Sequence, residues 1–214
     1  MTGPHAPTTR RRAALLLASG MAALALTACG DDGGYGGTGT PSPGATTSAA
    51  PAAGRHNDAD VAFAQDMIVH HRQAVTMSGM AEGRGASPAV QDLARKIEKA
   101  QAPEIATMSG WLKAWGEEVP EGTDMEHGHD MDASPMPGMM DEDRMDALRR
   151  ASGKAFDTMF LTMMIEHHKG AVAMAGTEKK DGVNEQAKQL ADRITTTQNA
   201  EIAQMEKMLG KGRT

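Results

Sequence analysis

The chain has 214 residues, 40% of them hydrophobic and only 3% aromatic, with a formal net charge of −6. That acidic balance excludes the basic footprint of a nucleic-acid binder and suits cations. One cysteine excludes an intramolecular disulfide, and 18 methionines give the apolar positions a thioether character that aromatic residues would otherwise supply.

The first predicted element is an export signal over residues 1–28. Arg10, Arg11 and Arg12 precede the apolar run "AALLLASGMAALAL", too short and too alanine-rich for a membrane span of about 20 strongly apolar residues. It ends in "LTAC", which resembles a bacterial lipobox. That likeness implies cleavage before Cys29 and lipid attachment to its sulfur, after export by the general or the twin-arginine route. The expected product is anchored to the outer face of the cell membrane and has no free thiol, so its soft metal donors are methionines. Loss of the three arginines takes its net charge from −6 to −9. Residues 29–56, mostly Gly, Ser, Pro, Thr and Ala, carry too few large apolar side chains to offset the entropy of ordering and read as a tether.

From residue 57 onward the sequence is duplicated. A shift of 97 residues aligns 60–116 with 157–213 without a gap, and 20 of those 57 positions are identical. In the first copy, residues 57–116, Phe63, Met67, His70, Ala74 and Met77 step by four and three, the seam of an amphipathic helix. Gly83 and Gly85 in "EGRGASP" stop that helix, and Ser87 and Pro88 suit the cap and first position of the next. The second arm carries Val90, Leu93, Ile97, Gln101, Glu104, Met108 and Trp111 at the same spacing. Pro103 inside it is expected to kink it, whereas the other copy has Ala200 there.

The crossover, residues 117–140, is too rich in Pro, Gly and Asp for a helix, and a helix resumes at "DEDRMDALRRAS" behind Asp141. The second copy, within residues 141–212, predicts arms from Lys154 to Lys179 and from Glu185 to Leu209. Two hairpins, each with one wet and one apolar face, bury those faces most simply against each other. The fold class expected is therefore all-α, a four-helix bundle made of two repeated helical hairpins.

The chemistry lies in the repeated histidine pairs. Residues three and four apart on a helix are neighbours at about 5–6 Å between β-carbons, so Met67 adjoins both His70 and His71, and Met164 adjoins His167 and His168. Met77 and Met174 follow two turns beyond the pairs, and the facing arms bring Glu104 with Met108 and Glu201 with Met205. A buried polar group without a partner costs about 1–3 kcal/mol, so these side chains require either one another or a ligand. A histidine–glutamate network with methionine as filler would satisfy them. Imidazole with thioether also suits copper, the soft sulfur favouring Cu(I). The crossover adds Met125, His127, His129 and Met131 in "MEHGHDM", then Met136, Met139 and Met140. In an exposed acidic loop these methionines have no packing reason to be present and could capture an ion for transfer.

"FAQDMIVHHRQAVTMSGMA" and "FDTMFLTMMIEHHKGAVAMA", followed by "EIATMSGWL" and "EIAQMEKML", resemble the two halves of the domain family numbered 305, labelled as of unknown function. The resemblance covers nearly everything from Asn57 to Leu209. It implies a ferritin-like four-helix fold and, through CopM-type members, copper binding outside the cytoplasm. Carried over by position, the residues implicated are Met67, His70, His71 and Met77 with Met164, His167, His168 and Met174.

Two rival readings remain at this point. A di-iron or manganese oxidase would need a Glu-x-x-His unit from each of two helices, which the core arms lack. A purely structural or partner-binding bundle would use the histidines for packing and hydrogen bonds. No nucleophile triad, phosphate loop or dinucleotide fingerprint appears, so no catalytic residue is assigned. The expected partners are copper ions, the lipid membrane through Cys29 and an exchange protein of unknown identity, with no metal required for folding.

Overall fold

The computed structural model describes residues 54–122 and 136–210. The signal segment, most of the tether, Cys29, and the crossover residues Met125, His127, His129 and Met131 lie outside the described residues. All regular structure described is helical: α1 (Asp58–Gly79), α2 (Pro88–Trp115), α3 (Glu142–Arg150), α4 (Gly153–Asp181) and α5 (Glu185–Met208).

Local chemistry sets the helix starts. Asn57 accepts a hydrogen bond from the Asp60 main chain while the Asp60 carboxylate accepts from the Asn57 main chain, a reciprocal cap on α1. Asp141 caps α3 and Asn184 caps α5 through their side chains. Ser87 stands at the expected cap position of α2 with Pro88 behind it, but its hydroxyl makes no capping bond. Its main-chain N–H donates instead to Asp157 of α4. In the other half, Asp60 of α1 accepts from the N–H groups of Val183 and Asn184 at the start of α5. Residues at matching positions of the two copies thus pin the second arm of the opposite hairpin. α2 continues as one helix through Pro103. Gly83 and Gly85 both take left-handed backbone angles in the turn after α1, as a chain reversal between two helices requires.

α1 packs on α2, α4 packs on α5, and α1 and α4 pack on each other. Met77 and Ala81, at the end of α1, share one apolar cluster with Phe156 and Phe160 at the start of α4. Phe63 and Met67, near the start of α1, share the other with Ala171 and Ala175 of α4. The two central helices therefore run antiparallel and are related by a local two-fold. They are buried on most sides: α1 buries twelve of 22 residues, whereas α2 buries eight of 28. That distribution follows the sequence, because a helix apolar around much of its circumference belongs inside and a one-sided helix outside.

The short α3 lies on α4, held by the paired bonds from Arg144 to the Glu166 carboxylate at 3.0 and 2.6 Å. The architecture is accordingly a four-helix bundle of two hairpins with one additional short helix in the crossover.

Candidate metal centre

The two-fold passes beside the histidine pairs. All four imidazoles, of His70, His71, His167 and His168, have no exposed surface. His70 of α1 and His167 of α4 meet with ring centroids 3.7 Å apart and planes tilted by 37°. The second histidine of each pair turns toward its own hairpin partner. His71 Nε2 lies 2.8 Å from Glu104 Oε2 of α2, and His168 Nε2 lies 2.7 Å from Glu201 Oε2 of α5. Both pairs span 33 residues, so the duplication reproduces the contact as well as the residues.

Burial is the largest influence on the central imidazoles. It pushes His70 down to about 3, with repulsion from His71 adding to it and the Pro137 carbonyl opposing it. His167 is likewise held well below the usual range by burial and by the neighbouring His70. Both are neutral at any physiological pH, the form that offers a lone pair to a metal.

The thioethers expected at the seam are mostly where the spacing put them. Met67, Met77, Met108, Met164 and Met205 are completely buried. Met67 and Met108 lie in one apolar cluster, and Met77, Met164 and Met205 lie in the other. Met174 is only half-buried at the margin. Among the described residues, no three His, Cys, Asp or Glu side chains gather closely enough to hold an ion. Glu104 and Glu201 are each engaged with a histidine through one carboxylate oxygen.

The crossover returns across this cluster. The Pro137 carbonyl lies 3.1 Å from His70 Nε2, and the Met140 main chain exchanges two bonds with the Gln73 side chain, at 2.8 and 2.7 Å. The expectation of exposed loop methionines fails here. Met140 is 4% exposed and belongs to the core, while Met136 and Met139 are half-buried. The physical reason is that hydrogen bonds from Gln73 and His70 draw this segment onto the bundle, where a thioether can pack. Sequence reasoning also passed over Met145 and Met163, both buried in the same cluster, because neither has a methionine counterpart in the other copy.

The glycines record how close the strap lies. A β-carbon on Gly170 would sit 1.9 Å from the Pro137 oxygen, and one on Gly138 would sit 2.7 Å from the Glu166 oxygen. Gly170 aligns with Gln73 in the duplication. One copy supplies the side chain that holds the strap and the other supplies the space it occupies.

The region from 60 to 209 matches the family described as a domain of unknown function, DUF305. The chain belongs to the DUF305 family. A DUF305 protein from Streptomyces coelicolor, described as secreted, is 34% identical and superposes with a TM-score of 0.63, over 72% of this chain and 93% of that one. CopM in its Cu(II)-bound form is 35% identical over 70% of this chain and 94% of its own, with a TM-score of 0.58. In its Cu(I)-bound form the match is 32% identical over 72% and 98%, also at 0.58. CopM has been solved with silver as well. No curated protein sequence matches.

Proposed function

We propose that this DUF305 domain binds copper outside the cytoplasm, Cu(I) in preference to Cu(II), and so sequesters or buffers the ion. One observation carries the reading: four fully buried imidazoles converge where α1 crosses α4, and their Nδ1 atoms meet no hydrogen-bond partner among the described residues. A fold does not retain buried polar atoms of this kind without cost, about 1–3 kcal/mol each, unless something binds them. Buried thioethers one helical turn away supply the soft component. Copper-bound and silver-bound forms of the related CopM support the same reading.

The donors proposed are His70, His71, His167 and His168 with Met67, Met77, Met108, Met164 and Met205, and Met174 at the margin. The crossover residues Met125, His127, His129 and Met131, with Met136 and Met139, would capture the ion and pass it inward. Export and a lipid anchor at Cys29 belong to the same proposal, supported by the arginine run and "LTAC". Labelled fatty acid should mark the wild-type protein and not a Cys29→Ser variant; labelling of both would remove the anchor.

The decisive measurement is Cu(I) titration of the purified domain against a competing chromophoric chelator. Replacing Met67 and Met164 by leucine preserves side-chain volume, and replacing His71 and His168 by alanine removes two imidazoles. Each double variant is expected to lose roughly tenfold or more in affinity, equivalent to about 1.4 kcal/mol or more. Unchanged retention in both, with helical circular dichroism intact, would leave these residues as packing elements.

A further inference from the structure

Three of the four buried imidazoles present the same nitrogen to the same kind of group. His71 Nε2 meets Glu104 Oε2, His168 Nε2 meets Glu201 Oε2, and His70 Nε2 meets the Pro137 carbonyl. A carbonyl oxygen has no proton to give, and neither has an ionised carboxylate, so in each contact the ring nitrogen is the donor. A neutral imidazole that carries its proton on Nε2 has its lone pair on Nδ1. In all three residues that Nδ1 is buried and meets no partner among the described residues.

We infer that Glu104, Glu201 and the Pro137 carbonyl are positioning groups, which fix His71, His168 and His70 as Nε2–H tautomers and direct an incoming metal to Nδ1. The inference rests on the copper-binding reading above. Such outer partners orient a ligand ring and raise its basicity, and their loss costs about 10–100-fold in metal affinity in other proteins. The two carboxylates come from the second arm of each hairpin, so each repeat brings its own. The third acceptor comes from the crossover and serves only His70.

His167, the two-fold counterpart of His70, has no equivalent acceptor among the described residues. Neither of its nitrogens reaches a partner in hydrogen-bonding geometry, although the His70 main chain lies near. The strap therefore makes the two halves of the site unequal: His70 has one tautomer imposed on it and His167 is free to ligate through either nitrogen. The strap depends on Gly170, because any β-carbon there would occupy the position of the Pro137 oxygen.

The test begins on the metal-free, full-length protein with nitrogen-15-labelled histidine, using long-range proton–nitrogen correlation to read the tautomer of each ring. His70, His71 and His168 are expected as Nε2–H forms. Glu104→Ala and Glu201→Ala should release His71 and His168 respectively into mixed tautomers and lower Cu(I) affinity roughly tenfold or more. Glu104→Gln and Glu201→Gln, whose amide oxygen still accepts, should keep the tautomer. Gly170→Ala should release His70 alone while His71 and His168 stay fixed, which reports the strap without touching a ligand. Nδ1–H forms at His71 and His168 in the wild type would overturn the inference, as would undiminished copper affinity in both alanine variants. Fixed Nε2–H tautomers in a protein that retains no copper would instead sink the copper reading and leave the positioning groups as they are.

Discussion

His70 and His167 occupy the same place in the two copies and touch each other, and burial, with repulsion from the neighbouring histidines adding to it, holds both below the usual imidazole range. His70 is held at about 3 in the fold against about 6.5 for a free imidazole. The folded state therefore binds fewer protons than the unfolded chain between those values, and stability falls as pH drops through that window. Above pH about 6.5 both states are neutral at this residue and no dependence arises from it. Urea midpoints of the metal-free protein should thus decline from pH 6.5 downward, and a His70→Gln, His167→Gln variant should show a flatter decline. A profile of equal slope in the two proteins would place the acid sensitivity elsewhere. The involvement of these histidines was legible in the sequence, since the pairs recur at one offset behind a methionine. Their mutual contact was not, because it depends on which helices cross.

Among elements, α4 carries a second buried acidic contact at its far end. Glu178 is 1% exposed, and burial together with the adjacent Asp60 pushes its carboxyl up to about 8. Burial acts to raise Asp60 too, but the N–H groups of Asn184, Asn57 and Val183 outweigh it and hold that carboxyl below the usual range. The folded state retains a proton on Glu178 that the unfolded chain has already lost, so this residue weakens the fold as pH rises from about 4.5 to 8. Glu178→Gln keeps an amide beside Asp60 and removes the titration. The variant should match the wild type near pH 4.5 and exceed it by about 1–3 kcal/mol at pH 8.5, read from denaturant midpoints. Equal midpoints at both values would mean that Glu178 is ionised in the fold. The bond of Asp60 to the Asn57 cap of α1 is local, spanning three residues, whereas its hold on α5 is not, since Val183 and Asn184 stand more than 120 residues away.

For the whole molecule, the local two-fold of the bundle is broken by the crossover. Its return segment is hydrogen-bonded to His70 and Gln73 of α1 and lies close against Gly170 of α4, with Met140 joining the core. Residues Met125, His127, His129 and Met131 precede that anchored segment. Replacing those four by serine should lower the number of Cu(I) ions bound while leaving helical circular dichroism and the urea midpoint unchanged. A shift in the midpoint would show that this stretch contributes to folding. Among the described residues only Val183 is a large hydrophobic side chain left fully exposed. No described helix is long and apolar enough to cross a membrane.

The sequence by itself determined the helices and their pairing into two hairpins, because three- and four-residue spacing and a duplication at fixed offset are properties of the chain in order. It also pointed to Glu104 and Glu201, through their repetition, as companions of the histidines. Only the tertiary structure decided that each glutamate takes the Nε2 of the second histidine, that His70 and His167 meet on the two-fold, and that Met140 is core. It also decided that Gly170 and Gln73, dissimilar residues at one aligned position, serve a single strap. These are relations across 33, 97 and 67 residues, set by helix crossing and by the path of the crossover chain, and no local periodicity encodes them.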